Sequence, residues 1–254
     1  MEKEQTTASK YKNDVVVLAH ERQATTNKEH EKGMPAFSSS RRNFLALAGS
    51  ATLGSAFLLN ACKKSDDNTP ATYASVTLTA DDYGILNYAY ALEQLEAAFY
   101  TQVIATPYTS ISASELSLLT DIKNHEVAHR EFFKSALGAK AIGGLSVNFT
   151  SINFKDRASV LGAAMAFEDL GVGAYNGVAH GIANAAYLTL AGKIVSVEAR
   201  HAAYIRELIT PGSFAGSDVI DASTGIDRAI TPTNVLKSAS VYIYNSIDVS
   251  KLPL

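Results

Sequence analysis

The sequence predicts an all-α fold: an antiparallel four-helix bundle with a long crossover between its second and third helices, plus a short C-terminal segment. Three observations carry that prediction. From Asp81 to Ile209 apolar residues recur at steps of three and four, the period of helices buried along one face. That pattern is interrupted at length only between Gly138 and Phe154, where Gly143-Gly144 sits in a stretch without period. Each of the four helical seams is apolar or aromatic except at its middle, where carboxylates and imidazoles stand.

Composition bounds the rest. The chain has 254 residues, 47% hydrophobic and 19% charged, with a net charge of −3, a balance suited to one well-buried core and a tail. Near-neutral charge and the lack of a basic, aromatic-laced cluster argue against nucleic acid as a partner. Cys62 is the only cysteine, which excludes an internal disulfide and a cysteine-based zinc site.

Residues 1–40 are polar and aperiodic and read as disordered. Ser40-Arg41-Arg42-Asn43-Phe44-Leu45 then opens an apolar run to Ala61, the plan of an export signal, so residues 1–61 stand outside the fold. The S-R-R-x-F-L core resembles a twin-arginine signal, and Leu59-Asn60-Ala61-Cys62 resembles a lipobox, with Asn60 polar where such a box is small or apolar. On that reading Cys62 is lipidated and anchors the protein to a membrane; the rival is an uncleaved anchor helix. Initiation at Met34 would give a signal of ordinary length. Residues 62–80, beginning Cys62-Lys63-Lys64-Ser65-Asp66-Asp67, read as a solvated tether. The expected location is the periplasm or outer surface of a Gram-negative bacterium.

The bundle is expected over 81–210. Helix one spans about Asp82 to Ile104, with the seam Leu86, Tyr90, Glu93, Ala97, Tyr100, Ile104. Ser112-x-x-Glu115 is a capping box that opens helix two, which runs to Leu137 along Leu119, Ile122, Glu126, His129, Phe133, Ala136. Helix three, about Asp156 to Ile182, carries Leu161, Met165, Glu168, Val172, Tyr175, Ala179, Ile182. Helix four, about Ala186 to Ile209, carries Ala191, Ile194, Glu198, His201, Ile205, Leu208. Residues 211–254 read as loop followed by a short closing helix within Pro232 to Asp248, with an aromatic face at Tyr242 and Tyr244.

The chemistry lies in the polar middles. Glu126-x-x-His129 recurs as Glu198-x-x-His201. A three-residue step turns about 300° and climbs about 4.5 Å, so the carboxylate and the imidazole share one helix face and can hold one transition metal. Glu93 and Glu126 lie at similar distances from the break near Pro107, so a hairpin brings them level, and Glu168 and Glu198 stand likewise about Asn184. Unpaired carboxylates at that depth cost several kcal/mol each or protonate, and two divalent cations remove the penalty together.

The halves also repeat: Glu93 precedes Tyr100 by seven residues, as Glu168 precedes Tyr175. With Leu92-Glu93-Gln94-Leu95-Glu96-Ala97-Ala98-Phe99-Tyr100, Phe167-Glu168-Asp169-Leu170 and Glu198-Ala199-Arg200-His201-Ala202, the chain resembles the ferritin-like superfamily, closest to its bacterial ferritin-like and desiccation-related branch. The resemblance implies a di-iron carboxylate centre with Glu93, Glu126, His129, Glu168, Glu198 and His201 as ligands, Glu126 and Glu198 bridging. It implies two iron ions, with manganese as a chemical relative, reaction with O2 or H2O2, and leaves a homodimer open. A dimanganese catalase-like enzyme and a non-catalytic stress or desiccation protein are the rival readings.

Glu93 is preferred to Glu96 as the helix-one ligand because of the repeat, and Glu96 is then an auxiliary carboxylate. Tyr100 and Tyr175, seven residues or about 10 Å of helix beyond their glutamates, are candidates for supporting the ligands or are simply core, and Tyr90, one turn from Glu93, stands likewise. His125 is expected to point off the seam toward the surface or to a supporting position. Asp121 and Arg200 are candidates for ordering the imidazoles or for ordinary surface pairs. Gly171-x-Gly173-x-x-x-Gly177 lies inside a helix and follows no strand, which rejects a nucleotide loop. Gly173, Gly177 and Gly181 suit close helix contact instead.

Overall fold

A computed structural model describes residues 73–254. The stretch expected to be an export signal, Cys62 and the start of the tether expected over 62–80 lie outside the described residues. The four long helices are α1 (Asp82–Ala105), α2 (Ala113–Leu137), α3 (Arg157–Val178) and α4 (Ala185–Ile209). A fifth, α5 (Pro232–Ala239), follows a two-residue antiparallel ladder of β2 (Ile220–Asp221) and β3 (Ile226–Asp227). The chain is all-α in class. α1 packs along α2 and α3 along α4, and the two hairpins meet chiefly through α1 and α3.

Local chemistry sets the helix starts. Asp81, Ser112, Asp156 and Asn184 each accept a backbone N–H of the first turn, satisfying donors that a helix start leaves unpaired. Ser112 Oγ takes the Glu115 N–H at 3.1 Å, the interaction that the Ser-x-x-Glu pattern predicts. Asp82 accepts from the backbone of Ala183 and Asn184, tying the start of α1 to the α3–α4 turn. α3 stops at Val178, short of the expected Ile182, and tightens into a 3-10 turn over Ala179–Gly181.

The crossover is pinned rather than loose. Asn87 donates to Lys140 O and accepts from Ile142 N, and Gln94 accepts from Leu145 N. Together with the C-terminal segment this buries α1 over nearly all its circumference. α2 and α4 keep an exposed outer face.

The ends of the described chain depart from expectation. Residues 73–80 are not wholly a solvated tether: β1 (Val76–Thr77) pairs in parallel with β4 (Ile247–Asp248), and Leu78 enters the core. A two-residue strand has no period to read. The closing helix ends at Ala239, so Tyr242 and Tyr244 share no helical face. Tyr242 meets Phe167 edge-on at 4.7 Å, and Tyr244 stacks on Tyr73 at 4.5 Å. Gly173 and Gly177 face the extended segment at Ile230 rather than a helix, and a Cβ on Gly177 would stand 2.0 Å from Ile230 O. On α2 the seam ends on Leu137, while Ala136 is exposed.

Candidate metal centre

Four helices deliver six side chains to one level of the core. Glu93 comes from α1, Glu126 and His129 from α2, Glu168 from α3, and Glu198 and His201 from α4. All four carboxylates are fully buried, His201 is buried, and His129 retains 14% side-chain exposure. Their donor atoms fall into two groups, Glu93–Glu126–His129–Glu198 and Glu126–Glu168–Glu198–His201, each with its atoms within 4.8 Å of one another. Glu126 and Glu198 belong to both.

The contacts repeat across the pseudo-symmetry. His129 Nδ1 lies 2.7 Å from Glu198 Oε1, 3.4 Å from Glu93 Oε2 and 3.7 Å from Glu126 Oε2. His201 Nδ1 lies 2.8 Å from Glu126 Oε1, 3.5 Å from Glu168 Oε2 and 3.6 Å from Glu198 Oε2. Despite these short approaches, neither Nδ1 is aligned for a hydrogen bond. Each points among three carboxylates rather than at one of them.

The unpaired atoms test whether cations fit. Among the described residues ten buried side-chain polar atoms have no hydrogen-bond partner, and eight of them belong to these six residues. They are Glu93 Oε2, Glu168 Oε2, both oxygens of Glu126 and of Glu198, and both Nδ1 atoms. Buried polar atoms are ordinarily paired, and an orphan costs about 1–3 kcal/mol. Eight orphans converging on one volume, four of them on the two shared carboxylates, form an oxygen- and nitrogen-rich donor set suited to two transition-metal cations. Four carboxylates also balance two divalent charges.

Without cations the charges distort one another. Burial drives Glu93 well above the usual carboxylate range, with Glu198 adding to it. Glu168 is pushed up to about 8, burial again leading. Burial also opposes charge on Glu126, His129 and His201, but there the opposite charges outweigh it: Glu126 is held at about 2, and both histidines are pushed up to about 12. Protons then occupy the place that cations suit.

The supporting residues sort out unevenly. Tyr100 on α1 donates to Glu168 Oε1 on α3 at 2.5 Å, and Tyr175 on α3 donates to Glu93 Oε1 on α1. Each end carboxylate therefore has one oxygen held by a phenol and the other free toward the centre. Burial raises both phenols well above their ordinary range, so they stay donors. Tyr90 is buried but bonds none of the carboxylates; its charged neighbours are Glu131 and Arg130. Glu96 is buried, raised first by burial and then by Glu126, and lies against Gly171, the α3 position matching it in the repeat. A Cβ at Gly171 would stand 2.9 Å from Glu96 Oε1.

Of the candidates for ordering the imidazoles, Arg200 donates to Ser196 on its own helix. His125, on the exposed side of α2, is the residue that reaches a ring, at His201. Sequence reasoning did not find Arg206, a buried guanidinium that pairs with Asp169 on α3 and Asp218 in the segment after α4. It directly follows the seam residue Ile205 and its partners lie on other segments, so no spacing marked it.

Residues 81–211, more than half of the chain, match the family model described as a ferritin-like domain. No curated protein matches the chain.

Proposed function

The chain belongs to the ferritin-like domain family, and from that premise we propose that it holds two iron ions and oxidises with O2 or H2O2 in ferroxidase- or peroxidase-like fashion. The observation that carries this reading is the convergence of eight unpaired buried donor atoms from six residues. Glu126 and Glu198, common to both donor groups, would contribute to holding both ions, and Glu93 and Glu168 would each hold one. His129 and His201, whose Nδ1 atoms face the carboxylates, would hold the ions through those atoms, giving up a proton there.

The chemistry two Fe(II) ions would supply there is a two-electron reduction of O2 to H2O2, or of H2O2 to water, with each iron giving one electron and becoming Fe(III). The protein's own part is preparation. Tyr100 and Tyr175 fix the end carboxylates from behind, leaving one oxygen of each to face the centre. Burial excludes bulk water from all four carboxylates. Glu96, a fifth buried carboxyl that burial raises well above its ordinary range, lies against Gly171 on α3.

Export is part of the proposal and rests on Ser40-Arg41-Arg42-Asn43-Phe44-Leu45 and Cys62. A route for folded proteins suits a centre loaded before export. Cys62→Ala should move the protein from the membrane fraction to the soluble one.

The test is stopped-flow absorbance on anaerobic protein loaded with two Fe(II) equivalents and mixed with O2 or H2O2. A transient far faster than oxidation of free Fe(II) supports the enzyme. Bound Fe(II) that oxidises no faster than free Fe(II) overturns it in favour of a stress or desiccation protein whose metal is structural.

A further inference from the structure

The two histidines of the centre are not equivalent. His201 Nε2 lies 2.9 Å from His125 Nδ1, and the two ring planes are 7° from parallel with centroids 5.1 Å apart, so the rings meet nitrogen to nitrogen. Among the described residues no hydrogen bond joins His129 Nε2 to another group. The repeat explains the difference: the residue before Glu126 is His125, whereas the residue before Glu198 is Val197, which has no hydrogen-bonding side chain.

A ring nitrogen binds a cation through its lone pair, and the tautomer is set by what the other nitrogen bonds. When Nδ1 of His201, which is turned to the carboxylates, gives its lone pair to a cation, the ring's remaining hydrogen sits on Nε2, where His125 Nδ1 is placed to accept it. The same contact fixes the ring plane. Such partners of a ligating histidine are worth about 10–100-fold in metal affinity.

We propose that His125 is a positioning residue: by accepting the Nε2 hydrogen of His201 it presets that ring for binding and makes the His201 half of the centre the tighter of two unequal cation positions. The inference rests on the six residues acting as ligands. It goes beyond that reading in ranking the two positions and in giving an exposed residue a role in the ranking. Because His125 is exposed, replacing it leaves the core packing intact.

Anaerobic titration with Co2+, read by calorimetry and by the d–d absorption of the bound ion, tests it. The native protein should fill in two resolved steps. His125→Leu should weaken one step about 10–100-fold and leave the other within about twofold. His125→Asn, whose amide oxygen takes the place of Nδ1, should restore the weakened step. Equal filling in the native protein, no change in His125→Leu, equal weakening of both steps, or failure of Asn to restore would each overturn the proposal. His201→Ala separates the two levels. If it leaves Co2+ uptake intact, the ligand reading fails; if it removes a step while the His125 variants bind normally, only the role of His125 fails.

Discussion

Tyr100 and Glu168 face each other across the core at 2.5 Å, and Tyr175 makes the reciprocal bond to Glu93. Each of the two lone-glutamate helices thus supplies the phenol that holds the other's carboxylate. Tyr100→Phe removes the donor and leaves a buried carboxylate oxygen unpaired. The loss should be about 1–3 kcal/mol of stability in the metal-free protein and about 10–100-fold in metal affinity. Thermal denaturation and calorimetric titration check the two effects, and Tyr175→Phe should mirror them. An unchanged affinity in both variants would contradict a supporting role for the phenols.

Glu96 and Gly171 should be energetically coupled. Replacing a mid-helix glycine by alanine ordinarily stabilises by about 0.8–1 kcal/mol. Here the new Cβ would press on Glu96 Oε1 at 2.9 Å, so the gain should vanish or reverse. In a Glu96→Ala background it should reappear, giving a coupling of about 0.5–3 kcal/mol. Denaturant unfolding of the four proteins measures it, and additive effects would contradict the contact.

Much of this was legible in the sequence, and the residues show why. The period of three and four placed all four long helices, because a helix that buries one face repeats its apolar residues at that spacing. The doubled Glu-x-x-His and the doubled Glu–Tyr spacing marked the polar middle of the core. The spacing did not decide whether the tyrosines were core or support. Helical side chains lean toward the N-terminus of their own helix, so a phenol about 10 Å farther along reaches back toward the level of the carboxylates. The His125–His201 pair joins residues 76 apart in sequence and depends on how α2 and α4 face one another. Ile230 against Gly177 and the β1–β4 pairing involve segments too short or irregular to carry a period.

Metal-free stability should peak in mildly acidic solution. His129 and His201 rise from 6.5 to about 12, so their contribution is fully present below pH 6.5 and is lost as pH climbs toward 12. Glu168 rises from 4.5 to about 8, so stability falls with pH across that interval as well. Glu126 falls from 4.5 to about 2, so its contribution is present above 4.5 and is lost as pH drops toward 2. Glu126 adds nothing further above 4.5 and Glu168 begins to subtract there, so the optimum lies near pH 4.5, and the histidines steepen the fall above 6.5. Cations that displace those protons bind better as pH rises, so the Tm gap between loaded and metal-free protein should widen from about pH 5.5 to about pH 8.5. A constant gap would contradict the exchange of protons for metal.

Arg206 should fasten the segment after α4 to the bundle. Its guanidinium bonds both Asp169 and Asp218, and Arg206→Ala leaves nothing to join them. Backbone amides between residues 211 and 228 should exchange hydrogen faster in that variant, while those at the middle of α1 stay protected. Uniform acceleration throughout the bundle would mean that the network supports the core rather than the segment.

The most direct test of the central claim is the number of cations bound per chain. Elemental analysis of native protein reconstituted anaerobically with Fe(II) should give two per chain, and the Glu126→Ala, Glu198→Ala double variant should bind none at equal concentrations, because both donor groups share those residues. A native protein holding one ion or none, or a folded double variant still holding two, would contradict it.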